Sequence, residues 1–474
     1  MEFLQKINAL VWGIPTMLLI FGVGVYFTAK TGFLQFKLFP AAFRNFLSQL
    51  SFKKEDSGQV SGYQALCTAL AATVGTGNLA GVAGAMAIGG PGAVFWMWVC
   101  AFLGMVIKFA EATLSVHYRQ KDEKGGYTGG TMYIIRNGLG EKWDWLGKVY
   151  CFFGVIAAFG VGNATQINTM IAGINDVVAY FGKESFPGVN LFLGVILAVL
   201  ISLMLMGGAG KVASATEKLV PLAAAGYILL SFGVLVLCRD RIPQAFAAIF
   251  HGAFAPQSVT GGLVGSVFIT LRTGMARGMF TNEAGMGTAG IAHANANVTD
   301  PVEQGLMGIM EVFLDTIVIC SMTALVILCS GIAIPYGIDQ GMLLTNDAFS
   351  SVYGQWIRIP MSLFLSCFAI ATVLGWGFYG ASCAQYLFGG NVWRFFAVAQ
   401  GIMVIVSTVL STGVVWLLSE IVNALMVIPN VIALLSVSPE LFRLTEKYRK
   451  GAHHKGALRQ SYFRMVETVE SPDW

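Results

Sequence analysis

Charge is scarce in this chain. Of 474 residues only 11% are Asp, Glu, Lys or Arg, while 56% are hydrophobic; a soluble protein carries about 25% charged residues. The shortage is also uneven. No charge falls between Asp56 and Lys108, and further gaps run from Lys6 to Lys30, Lys148 to Asp176, Glu184 to Lys211, Arg241 to Arg272 and Arg358 to Arg394. A helix needs about 20 apolar residues to span hydrocarbon. Each gap therefore holds at least one span, and a soluble globular fold is excluded. The other absences narrow the function. The eight cysteines form no CxxC pair and fall almost entirely within the apolar runs, so they read as small core residues, with no disulfide and no transition-metal site expected. There is no HExxH, no Ser/His/Asp pattern and no P-loop lysine after GTGN, which leaves neither an enzyme nor ATP drive. His117, His251 and His293 are isolated, and His453 and His454 sit in a basic tail. Residues 1–30 lack the short apolar core and small-residue cleavage site of a secretory signal, so none is expected. Connections are short, with no soluble domain among them.

What is present is a set of eleven expected spans, near 8–29, 62–89, 91–116, 149–180, 188–206, 215–238, 262–291, 305–331, 358–386, 394–411 and 413–437. Lysine and arginine orient them. The segment after span 1 carries Lys30, Lys37, Arg44, Lys53 and Lys54; the segment after span 3 carries Arg119, Lys121, Lys124, Arg136, Lys142 and Lys148; the tail carries Arg443, Lys447, Arg449, Lys450, Lys455, Arg459 and Arg464. An odd count puts all three on one side, and the basic side is cytoplasmic. The N-terminus is expected outside and the C-terminus inside. The net charge of +4 reports this asymmetry and implies no nucleic acid. Residues 243–258 read as an external interfacial helix, 128–139 as its internal counterpart, and the stretch after Pro439 as a short basic tail that meets anionic lipid.

Two spans interrupt themselves. Residues 68–86 read TALAATVGTGNLAGVAGAM, with four glycines and Asn78 in an uncharged run. Gly77 and Gly81 alone would suit a close helix–helix contact. Thr73, Thr76 and Asn78 add donors and acceptors that packing does not need. Residues 270–288, TLRTGMARGMFTNEAGMGT, have the same character, with Arg272, Arg277, Asn282 and Glu283 added. Non-helical backbone survives at membrane depth only against protein or a wet cavity. Two glycine-interrupted spans at matching places in two halves point to an inverted-repeat transporter. With span 1 set aside, spans 2–6 and 7–11 form two sets of five. In such sites half-helix N-termini bind a carboxylate while unwound carbonyls hold a cation. ATVGTGN contains no acid or base, which suits a neutral zwitterion.

These residues carry a resemblance. VGTGNLAGVAGAMAIGGPGAVFWMW (74–98), KFAEATLSVHYR (108–119), GGTMYI (129–134) and RGMFTNEAGMGTA (277–289) resemble the alanine or glycine:cation symporters, the sodium:alanine symporter family of the amino acid–polyamine–cation superfamily, over nearly the whole chain. The resemblance implies an all-α polytopic fold with about 11 transmembrane helices: a leucine-transporter-type 5+5 inverted repeat with one extra N-terminal helix. The segments would be 1–61, the extra helix and its cytoplasmic connection; 62–238, the first repeat; 239–261, an external interfacial segment; 262–437, the second repeat; and 438–474, the tail. It implies a prokaryotic plasma (inner) membrane, no cofactor beyond a coupling sodium ion, and no partner beyond a small neutral amino acid, sodium and the lipid bilayer.

It also implies residue roles. Thr76 and Gly77, with Asn78 beside them, would bind the substrate carboxylate. Carbonyls near Ala71 and Val74, with the hydroxyl of Thr372 and less clearly Ser366, would hold sodium. Gln166 would meet the substrate's polar end. Thr273, Gly274, Met275 and Ala276 would line the second break, with Gly375 and Trp376 facing them. Met275 and Trp376 would limit the side chain to that of alanine or glycine, although a lone Trp is more often an ordinary packed aromatic. Ionisable groups within spans are functional by default. Lys108 and Glu111, three apart, are expected to pair. Glu311 and Asp315, four apart on one face, would meet Arg277 or gate the inner vestibule. Glu283 is the expected gate residue, paired with Arg272 or Arg277, and would be the titrating acid if the coupling ion were a proton. The leading reading is a sodium-coupled symporter for alanine or glycine working by alternating access. Proton coupling is the rival, and a passive facilitator a weaker one.

Overall fold

The computed structural model describes residues 11, 14–50, 60–122, 125–183, 187–409 and 412–451. The expectations for Lys53, Lys54, Lys124, His453, His454 and the tail beyond 451 lie outside these residues. Among the described residues the regular structure is helical except for one ribbon of two short strands, β1 (Gln120–Lys121) antiparallel to β2 (Tyr127–Thr128).

Helices α1 (Ile14–Lys30), α2 (Leu34–Lys37) and α3 (Phe39–Leu50) open the chain. The described part of the connection after span 1 is largely helical, because FPAAFRNFLSQL is amphipathic and lays its apolar side on the bundle. Phe39 meets Phe313 edge-on with ring centroids 4.9 Å apart. Helix α4 (Gly62–Thr73) starts from a capping box at Ser61 and Gln64. It breaks, and a π-helical turn (Gly77–Gly81) leads into α5 (Val82–Gly89). The two pieces are bent by 50°. Helix α6 (Ala93–His117) follows, then α7 (Thr131–Ile134) with a π turn (Ile135–Leu139), so residues 131–139 are helical as expected, with Met132, Ile134 and Ile135 buried.

Next come α8 (Asp144–Phe159), a π segment (Gly160–Ala164) and α9 (Thr165–Tyr180), then α10 (Pro187–Met206), α11 (Gly208–Leu237), α12 (Ile242–Phe254) and α13 (Pro256–Thr260). Helix α12 lies in the segment expected to form a helix there, and its Phe246, Phe250 and Phe254 are exposed. The remainder is α14 (Val267–Asn282), α15 (Ala289–Ala294), α16 (Pro301–Val312), a π segment (Phe313–Cys320), α17 (Ser321–Ser330), α18 (Met342–Tyr353), α19 (Arg358–Phe388), α20 (Val392–Ser407) and α21 (Thr412–Ser436). A bend of 60° then leads into α22 (Ser438–Gly451). The stretch after Pro439 is therefore a docked helix at first: Leu441 is buried and Arg449 donates to Thr31 O at 2.8 Å.

Among the described residues, six helices are long and apolar enough to cross a bilayer unbroken, and two bent pairs meet the same test. The layers follow from composition. Helix α10 is apolar all round and most of it is not buried by protein, whereas most of α6 is. A helix greasy on every side with so little protein around it faces lipid. Helix α6 is central instead, packed on α14 and α16. The broken helices sit inside that shell.

Candidate functional site

The first break is made by side chains that replace helix hydrogen bonds. Val74 leaves the helix at φ −79°, ψ 100°. Asn78 then folds back, its Oδ1 accepting from Gly75 N at 2.9 Å. Its Nδ2 donates to Asp315 Oδ1 at 2.6 Å, and its own carbonyl accepts from Thr323 Oγ1 at 2.9 Å. Asn78 is fully buried, and both ends of its amide are used.

Three other elements converge on this break. From α19, the Thr372 hydroxyl lies 2.8 Å from Ala71 O and 2.9 Å from Phe368 O. From α9, Gln166 Oε1 accepts from Thr76 N at 3.4 Å, a long bond. The π turn before α9 is what lets Gln166 sit there. Val161 O in that turn accepts from the Gln166 Nε2 and Thr165 Oγ1 donors, at 3.2 and 2.7 Å. From α14, Thr281 comes against Gly77: a Cβ on Gly77 would lie 3.1 Å from Thr281 Cγ2. A Cβ on Gly75 would lie 2.8 Å from Thr372 Oγ1 and 3.1 Å from Gln166 Oε1, so glycine is required for both to reach the backbone. Gly375 performs the same service for α19, where a Cβ would press 3.1 Å from Ala72 N. The Thr76 hydroxyl is buried and makes no hydrogen bond. Ala71, Val74, Thr76, Gly77, Asn78, Gln166, Thr372 and Gly375 are thus brought together. Ser366 is not: its hydroxyl bonds Ser362 O of its own helix at 2.7 Å, six residues or about 9 Å before Thr372.

The second break lies further along than expected. Thr273, Gly274, Met275 and Ala276 are within the unbroken α14, which ends at Asn282. Gly274 and Gly278 are a packing pair: a Cβ on either would strike α6, 2.3 Å from Ala93 O and 3.2 Å from the Met97 backbone. This is the small-xxx-small contact that Gly77 and Gly81 were weighed for; Gly81 has nothing within 4 Å. The interruption falls at Glu283–Thr288, where Glu283, Gly285 and Gly287 have φ of 53°, 95° and 77°. Here carboxylates hold the backbone. Glu111 Oε1 accepts from Gly285 N at 2.9 Å, Gly287 N at 3.0 Å and Asn430 Nδ2 at 2.7 Å. Glu283 accepts from Trp376 Nε1 at 2.9 Å and Thr288 Oγ1 at 2.6 Å.

The expected ion pairs re-form with other partners. Glu283 pairs with neither arginine: Arg277 reaches Asp339 at 3.4 Å, and Arg272 is exposed on α14. Lys108 does not pair with Glu111 but with Glu311 at 2.9 Å, and Glu311 also meets His293 at 3.1 Å. Asp315 binds Asn78 rather than Arg277. All these partners are far apart in sequence, so spacing could not reveal them. Asp315 was visible as a buried acid; its neighbour Thr316, which also proves to face the breaks, carried no signal.

A cavity of about 450 Å³ approaches the first break from the end where α9 finishes and α18 lies. Ala80 and Gly81 of the π turn floor it, and Asn168, Asp176, Arg277 and Asp339 line it. The lining Asp176 is bonded to Arg358 at 2.6 Å, and Arg358 also reaches Asp347 at 2.9 Å.

Apolar spans, buried helix breaks and a polar vestibule define a multi-pass membrane transporter. The model described as the sodium:alanine symporter family matches residues 1–462. The sodium/alanine symporter AgcS of Methanococcus maripaludis is 37% identical, over 95% of this chain and 97% of that protein. The probable sodium/glutamine symporter GlnT of Bacillus subtilis is 33% identical, over 94% and 89%. The chain belongs to the sodium:alanine symporter family, whose members are transporters, not enzymes. Among solved structures, that of MhsT in complex with L-phenylalanine aligns with a TM-score of 0.57 over 78% of this chain and 87% of that one, at 15% identity; this likeness shows the fold alone.

Proposed function

We propose that the chain is a sodium-coupled symporter that imports alanine, glycine or both by alternating access, with the first break as its binding site. The observation that carries the reading is the Thr372 hydroxyl on Ala71 O, at 2.8 Å, where α4 ends. Helix-terminal carbonyls and a hydroxyl are the neutral oxygens that sodium takes, and the buried Thr76 and Gln166 beside them suit an amino acid's polar end. Ala71, Val74 and Thr372 hold sodium; Thr76, Gly77 and Gln166 meet the substrate; Met275 and Trp376 restrict its side chain. The fold is eleven spans in a leucine-transporter-type 5+5 arrangement after one extra helix. The six unbroken spans, the bent pairs beginning at Gly62 and Ile421, the shorter apolar helices Pro15–Lys30 and Val392–Ser407, and α14 with α15 support that number. The N-terminus is outside and the C-terminus in the cytoplasm of a prokaryotic cell.

Proton coupling is the second reading, favoured by one observation: Glu111, Glu283 and Asp315 are buried acids that, among the described residues, form no close ion pair, the one buried lysine, Lys108, being paired with Glu311. Proteoliposomes separate the two. Labelled alanine should accumulate under an imposed inward sodium gradient at constant pH. Accumulation under a proton gradient alone would move the coupling to the second break, and equilibration under neither would leave a facilitator.

A further inference from the structure

The two breaks are joined by one dipeptide. Each break has an asparagine that folds back on its own backbone: Asn78 Oδ1 accepts from Gly75 N at 2.9 Å, and Asn282 Oδ1 accepts from Ala284 N at 3.0 Å. That use of the oxygen fixes both amides, so each Nδ2 points away from its break. Asn78 Nδ2 donates to Asp315 Oδ1 at 2.6 Å. Asn282 Nδ2 donates to Thr316 Oγ1 at 3.2 Å. Thr316 Oγ1 in turn donates to Asp315 Oδ2 at 2.7 Å. The result is an unbroken chain of hydrogen bonds from the Gly75 amide to the Ala284 amide, with the Asp315 carboxylate as the acceptor of both branches. Asn78, Asn282 and Thr316 are fully buried and Asp315 is 1% exposed, so water does not compete. Asp315 and Thr316 lie in the π-helical stretch Phe313–Cys320, a kind of winding that recurs at functional sites.

We infer that Asp315 and Thr316 are positioning residues that couple the two broken helices, so that sodium at the first break and the conformation of the second are read by each other. The inference rests on the proposed symport. A backbone shift at either break moves its asparagine, and the asparagine can move only if the shared carboxylate follows or the chain parts. Neither residue touches the substrate in this account. Their contribution is the coupling between ligands, which must be reciprocal.

The test is equilibrium binding of labelled L-alanine to the purified full chain, with and without sodium. The ratio of the two affinities is the coupling factor. Thr316→Val keeps the side chain's shape and removes only the Asn282 branch; Asp315→Asn removes one of the two acceptor oxygens. Each should lower the coupling factor about tenfold, within the usual range of coupling between sites, while leaving sodium-free alanine affinity nearly unchanged. Thr316→Ser should restore it. If both variants keep the wild-type factor, or if their affinities with and without sodium fall equally, the inference is wrong and the residues are structural only. If Asp315→Asn does not fold, Thr316→Val decides alone. Wild-type protein whose alanine affinity ignores sodium would instead overturn the proposed symport, and this inference with it.

Discussion

The two breaks do the same thing to the backbone by opposite means. At Val74–Thr76 the helix parts among neutral groups: an asparagine, a glutamine, a threonine hydroxyl and main-chain carbonyls. No residue there has a positive φ. At Glu283–Thr288 it parts through three positive-φ residues and is held by two buried carboxylates. The second break is tightly fastened: Glu111 Oε1 takes three donors and both Glu283 oxygens are occupied. The first keeps a buried Thr76 hydroxyl in reserve. A neutral break suits a ligand that brings its own charges, because a fixed protein charge would have to be compensated whenever the site empties. A charged break, held through Glu111 Oε1 and both Glu283 oxygens although Glu111 Oε2 has no partner, suits a hinge or anchor.

That contrast can be broken by mutation, and the largest effect is expected at the anchor. Glu111→Ala leaves the Gly285 and Gly287 N–H groups without their acceptor, while Asn430 Nδ2 keeps its bond to Gly285 O. At about 1–3 kcal/mol for each buried orphan, the protein should lose thermal stability sharply in detergent, whereas Glu111→Gln, which keeps an acceptor oxygen, should lose much less. Equal melting temperatures for the two would show that the loop does not depend on that oxygen. Next is Gly75→Ala. The added Cβ would stand 2.8 Å from Thr372 Oγ1 and 3.1 Å from Gln166 Oε1, so alanine uptake should fall by about a hundredfold, the scale of a misplaced site, with normal folding. Wild-type uptake here would remove the first break from the mechanism. A smaller loss is expected from Trp376→Phe, which deletes only the donor to Glu283. A hydrogen bond to a charged group contributes about 1.5–3 kcal/mol, so transport should drop about tenfold or somewhat more, and an unchanged rate would mean that Trp376 is packing alone. The smallest effect belongs to Ser366→Ala. Its hydroxyl bonds its own helix, and the sodium concentration for half-maximal uptake should not move; a rise would return Ser366 to the cation site.

Much of the first break was legible because its polar residues had no other reason to be there. Thr76, Asn78, Gln166 and Thr372 are uncharged polar groups in apolar runs, and a buried amide in a span must find partners. The second break was placed about ten residues too early. Gly274 and Gly278 look the same in sequence as Gly285 and Gly287, yet the first two make room for α6 and the last two supply positive φ. Composition cannot tell these uses apart; only the packed backbone does. The ion pairs were illegible for a related reason. Lys108 has an acid three residues on, but both side chains are drawn to partners in distant segments, Glu311 and the Gly285–Gly287 loop. Local spacing decides pairing on an exposed helix face. Inside a bundle, the neighbouring helix decides it.

The proposed cation site rests on the neutral oxygens of the first break, the Ala71 carbonyl and the Thr372 hydroxyl. The most direct measurement is alanine uptake by Thr372→Ala in proteoliposomes over a graded series of external sodium. The account predicts a half-maximal sodium concentration raised about tenfold, the scale of about 1.4 kcal/mol for one lost ligand, with the maximal rate recovered at high sodium. A sodium curve that overlays the wild type would contradict it.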